Sequence, residues 1–208
     1  MLVSNVCRFE RVAFNDTTGH LHTSIGVSAL KLERLAARKN PLKLDSAALS
    51  TLSIQPPHAV YDLRADEIAN GGGLETAHAT GFRYFVNVAG ALVAAAEIQT
   101  GASGESSLLA NVNHGPYVAA SARAFDTLTS RSLVGKGSYE ARLLRFSAIY
   151  LVAVWLKAEG LGADIIYPLA PTPKELSAEK SYSAEDFLEA VRPLVKKRAE
   201  NQRSGIVP

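Results

Sequence analysis

A chain of 208 residues with 47% hydrophobic and 20% charged side chains has the material for a packed core, which excludes wholesale disorder. Its 22 basic against 20 acidic side chains leave a formal net charge of +2, so no strong field points to a polyanion and nucleic acid is an unlikely partner on charge alone. The single cysteine, Cys7, excludes intrachain disulfides and multi-thiolate zinc sites, and no nearby motif marks it as a nucleophile.

The first residues meet Arg8, Glu10 and Arg11 before any apolar segment forms, so they do not read as a secretory signal. The longest apolar run, 148–156, falls far short of the roughly 20 residues that span a bilayer. A cytoplasmic chain without membrane contact is expected. Residues 3–14 alternate brokenly through Val6, Val12 and Phe14 as one short strand, stopped by Asn15-Asp16-Thr17-Thr18-Gly19. Over 26–38, Val27, Leu30, Leu32 and Leu35 among charged residues predict a helix, which Asn40-Pro41 ends.

Residues 41–81 read as loop-rich, with short helices over 45–52 and 62–70 and an extended breaker at Ile54-Gln55-Pro56-Pro57. Gly71-Gly72-Gly73 lacks the surrounding pattern of a phosphate-binding loop and reads as a plain joint. From 82 to 99, two β-prone runs flank Ala89-Gly90, the signature of a hairpin, with a helix over 91–99 as the rival reading. A two-residue turn places Phe82, Tyr84, Val86, Val88 and Val93 on one face and Phe85, Leu92, Ala94, Ala96 and Ile98 on the other. Both faces are then apolar and both need cover.

A short apolar piece over 108–112 precedes Asn113-His114-Gly115-Pro116, which opens a helix with Val118, Ala122, Phe125 and Leu128 inward and Arg123 and Asp126 outward. The tract 139–157 reads as two strands rather than one helix, because β-branched and aromatic residues dominate its second half and place Trp155 in a central strand. A further strand over 163–169 runs into a proline-rich exit. Ser183 then caps a helix striped by Phe187, Leu188, Val191, Leu194 and Val195, with a kink or break expected at Pro193 and a basic end at Lys196-Lys197-Arg198.

Candidate chemistry is sparse. His20 and His22 would share a side of an extended segment, with Asp16, His58 and His78 as further ligands only where the fold gathers them, so no metal or other cofactor is expected. His114, with Asn111 and Asn113, sits before a helix N-terminus where anions are favoured, and is the leading acid/base or binding candidate against a plain turn-and-cap role. Glu140, Arg142 and Arg145 border an apolar tract; Glu140 and Arg142 share one strand face and read as a rim ion pair or, alternatively, a carboxylate- or partner-binding group.

The expected architecture is one α+β domain. Its mostly antiparallel sheet packs against one main helix in a core over 81–170, with helical extensions over 1–80 and 171–208. The strand–strand–helix–strand–strand order resembles cystatin-like or NTF2-like topologies, a likeness of pattern that carries no function. The expected role is a non-catalytic protein–protein interaction or assembly protein, as a homo-oligomer or with another protein. The alternative is a small-molecule binder or enzyme with a pocket between sheet and helix that uses His114.

Overall fold

The computed structural model describes Ala47 and residues 50–55, 57–100, 107–130 and 139–203. The expected strand over 3–14 and helix over 26–38 lie outside the described residues, as do Cys7, Asp16, His20 and His22. In chain order the elements are β1 (Leu52–Ile54), β2 (His58–Asp62), α1 (Ala65–Ala69), β3 (His78–Val88), β4 (Ala91–Thr100), β5 (Ser107–Asn113), α2 (Pro116–Ser130), β6 (Tyr139–Phe146), β7 (Leu151–Ala158), β8 (Ile165–Pro168), β9 (Tyr182–Ser183) and α3 (Ala184–Arg203). The fold is mixed α+β, with a large antiparallel sheet and few helices. No described helix is long and apolar enough to cross a membrane.

The stretch 41–81 holds more strand than its composition suggests. The helix expected over 62–70 shrinks to α1, because Asp62 closes β2, Leu63 N donates to Arg145 O at 2.8 Å and Arg64 is extended. The helix expected over 45–52 covers Ala47 and Ser50, but Leu52 belongs to β1 and pairs with Val88. Two compact units divide the chain, Met1–Ala59 with Gly81–Ala119, and Val60–Thr80 with Ala120–Pro208.

In the first unit β3 and β4 form the expected hairpin, and the rival helix over 91–99 is not formed. Ala89 and Gly90 both have positive φ (49° and 79°), the two-residue turn whose twist matches its strands. The predicted faces, however, are corrected. Asn87 pairs with Leu92, but Val86 pairs with Ala94, so Val93 is an extra residue bulged out of the ladder. Because side chains alternate with a period of two, one inserted residue moves everything beyond it to the opposite face. Ala94, Ala96 and Ile98 therefore lie beside Val86, Tyr84 and Phe82, and all but the partly buried Phe82 are buried in one cluster with Leu52, Ile54, Val93 and Val112 packed against it. The alanines fit this crowding: Ala94, Ala95 and Ala96 are all fully buried.

The second unit carries β6, β7, β8 and β9, each antiparallel to the next. The two-strand reading of 139–157 holds, with the turn Ser147–Ile149 between the strands. Leu144, Phe146, Ala153, Trp155 and Ile166 form a core with Ile68 of α1 and with Phe187, Leu188, Val191 and Val195 of α3, and Trp155 is 3% exposed. Ser183 caps α3 as expected, its Oγ accepting from Asp186 N at 3.0 Å. Pro193 does not end the helix, which continues to Arg203. Val191 and Val195, buried on either side of it, hold both halves against the core. α2 opens at Pro116 as predicted and buries Val118, Ala120, Ser121, Ala124 and Leu128, leaving Arg123 and Asp126 exposed.

Candidate functional site

In the first unit, strand register aligns the polar groups. Arg83 lies opposite Glu97, which lies opposite Asn111; Phe85 lies opposite Ala95, which lies opposite Asn113. These six side chains therefore project from one face of the sheet. Arg83 and Glu97 are only 5% and 8% exposed, and Arg83 Nε donates to Glu97 Oε1 at 2.8 Å with a second bond from Nη2. A guanidinium and a carboxylate removed from water this far each depend on the other. His58 stands with its ring edge-on to Phe85, the centroids 5.7 Å apart. Burial, and then the charge of Arg83, push its pKa down to about 4, so the imidazole is neutral at physiological pH. The result is a neutral imidazole beside a closed ion pair on a mostly buried face.

The sequence candidates meet this face only at its margin. Asn111 Nδ2 donates to Asn113 Oδ1 at 2.9 Å, so the two amides satisfy each other. His114 is exposed, and its Nδ1 lies 3.4 Å from the carbonyl oxygen of Val93. Val93 is the bulged residue, so the imidazole reaches the one β4 residue that the β3 register leaves unmatched between Val86 and Asn87.

Glu140, Arg142 and Arg145 belong to the second unit. Glu140 and Arg142 form the expected ion pair, on the opposite face from Arg145, which grips Asp62 (2.6 and 3.2 Å) and donates to Thr80 Oγ1 at 3.1 Å. The cross-strand match of Arg142 with Trp155 sets the guanidinium over two edge-on rings, 4.4 Å from the centroid of Tyr61 and 4.8 Å from that of Trp155. Trp155 Nε1 donates to Asp164 Oδ2 at 3.0 Å, and the same carboxylate takes Lys157 Nζ at 3.2 Å and Ala158 N at 3.0 Å. Burial raises the Tyr61 pKa above its ordinary 10.0. Most donors and acceptors in this cluster are committed to one another, although Arg142 Nε is buried without a hydrogen-bond partner.

The triple glycine is likewise closed. Gly71 N donates to Ile68 O at 3.2 Å, Gly72 N to Glu67 O at 2.9 Å and Gly73 N to Glu75 Oε1 at 2.8 Å, so none of these donors is aimed at a phosphate. The carbonyls of Gly71 and Gly72 accept from Arg192 Nη2 of α3 at 3.3 and 3.2 Å. His78 pairs with Glu67 at 2.8 Å, and no group of three or more His, Cys, Asp or Glu among the described residues is placed to hold a metal ion.

Tyr150, at the end of the turn Ser147–Ile149, takes a left-handed backbone conformation (φ 53°, ψ 38°) and is 71% exposed between buried Ile149 and Leu151. Arg198 of α3 lies over its ring, Cζ 5.2 Å from the centroid, and donates to its hydroxyl at 3.3 Å. The only other large hydrophobic side chain so exposed among the described residues is Leu161, between β7 and β8. Comparison with protein-family models, curated proteins and solved structures finds no match to this chain.

Proposed function

We propose that the chain is a cytoplasmic, non-catalytic interaction or assembly protein, acting as a homo-oligomer or in a stable complex with another protein. Tyr150 carries the proposal. A left-handed conformation costs a bulky L-residue about 1–2 kcal/mol, and here most of the ring gains no burial in return. Tyrosine and arginine are enriched among residues that dominate protein interfaces, since they offer large, stiff contact area with a polar end. Arg198, stacked on Tyr150, holds that area ready. Three strands, β3 to β5, precede α2 and three, β6 to β8, follow it, so the cystatin-like or NTF2-like order is an analogy of pattern alone and adds nothing to the function.

A second reading, small-molecule binding on the β3–β4 face, is favoured by the buried Arg83–Glu97 pair beside neutral His58 rather than by His114. The test of the leading reading is native mass measurement on the purified chain and on the chain in cell extract. A mass above the 22.2 kDa of one chain is expected, reduced to that of one chain in Tyr150→Ala at unchanged melting temperature. A single-chain mass in both settings contradicts it.

A further inference from the structure

We infer that the surface made by Tyr150 and the basic stretch 196–198 of α3 takes an acidic peptide segment of a partner protein. This rests on the interaction reading above and names the partner's chemistry. Elsewhere in the second unit Arg142 has Glu140, Arg145 has Asp62, Lys157 has Asp164 and Arg123 has Glu179, while the exposed Arg64, Lys174 and Lys180 stand apart in sequence with no carboxylate among the described residues; only at 196–198 do three cations without one follow one another. Lys196, Lys197 and Arg198 pair with no carboxylate among the described residues, and the two lysines are exposed.

Lys196, Lys197 and Arg198 precede the last turn of α3, which runs to Arg203, so the helix dipole accounts neither for them nor for a tyrosine held out beside Arg198. Arg198 joins the two features, because its guanidinium both stacks on the Tyr150 ring and bonds its hydroxyl. A segment with carboxylates spaced by apolar side chains fits this contact, placing an acid against Arg198 and an apolar group on the Tyr150 ring, with the exposed lysines adding positive charge to the approach. Single-stranded nucleic acid fits less well. Such sites line a basic groove with several stacking aromatics, whereas this surface offers one tyrosine on a chain of net charge +2.

Fluorescence anisotropy with a labelled peptide of alternating glutamate and leucine pairs tests the inference, with a glutamine-for-glutamate peptide and oligo(dT) as competitors. The acidic peptide is expected to bind and to weaken as salt is raised. Arg198→Ala and Tyr150→Ala should each reduce affinity about tenfold at unchanged melting temperature, and Arg123→Ala should not. Equal binding of the glutamine peptide, tighter binding of oligo(dT), no binding of the acidic peptide, or indifference to both substitutions overturns the inference. If a Tyr150-dependent complex persists in extract while the acidic peptide fails to bind, the partner's chemistry falls and the interaction reading stands.

Discussion

His58 provides the sharpest test of the packing in the first unit. Its folded pKa of about 4 lies below the ordinary 6.5, first because burial against Phe85 strips water from the cation and second because Arg83 repels it. Above pH 6.5 the imidazole is neutral in both states and adds no pH dependence. As pH falls below 6.5 the unfolded chain takes up a proton that the folded chain refuses until about pH 4, so the folded state loses stability across that window. At about 1.36 kcal/mol per pH unit the full loss is about 3 kcal/mol, most of which has gone by pH 4.5. Urea unfolding of the wild type and of His58→Gln between pH 7.5 and 4.5 measures it, since the remaining histidines are common to both chains. The wild type should lose about 2–3 kcal/mol more than the variant. Parallel curves would refute the burial of His58 and the repulsion by Arg83 together.

Three further outcomes follow from packing. Trp155→Ala should cost about 3–5 kcal/mol in denaturant unfolding, since it empties a site 3% exposed and removes the donor to Asp164; a cost under about 1 kcal/mol would show that the core lies elsewhere. Arg83→Met should cost about 3–5 kcal/mol by removing the guanidinium that faces the buried Glu97 carboxylate, while Arg83→Met with Glu97→Leu should recover most of that loss, and additive losses in the cycle would contradict the ion pair. Ala89→Asn should raise stability by about 0.5–1 kcal/mol because asparagine accepts the positive φ of the turn better than alanine, and a lower unfolding midpoint would argue against that turn.

Local signals made part of this fold legible. The Ala89-Gly90 turn, the Pro116 helix start, the Ser183 cap and the β-branched second half of 139–157 are written in consecutive residues, and the elements they announce formed. Register is not written that way. The bulge at Val93 carries no residue type of its own, yet it exchanges the faces of the β4 residues beyond it. Arg83 and Glu97 are 14 residues apart and meet only through that register, so their pairing escaped a reading by motif. β2 was missed because five residues between prolines and a charged turn carry too little alternation to stand out. His114 stood out by its neighbours, yet its geometry ties it to the bulge rather than to a set of reacting groups. Tyr150 looked like one more apolar residue in a strand, and its exposure depends on a backbone conformation that no local pattern announces.

Photo-crosslinking in living cells tests the central claim most directly. A benzophenone amino acid at position 150 is compared with the same group at the exposed position of Lys174. Discrete adducts, to another copy or to one protein species, are predicted at 150 and not at 174. No adduct at 150, or the same adducts at both positions, would contradict an interaction surface built on Tyr150.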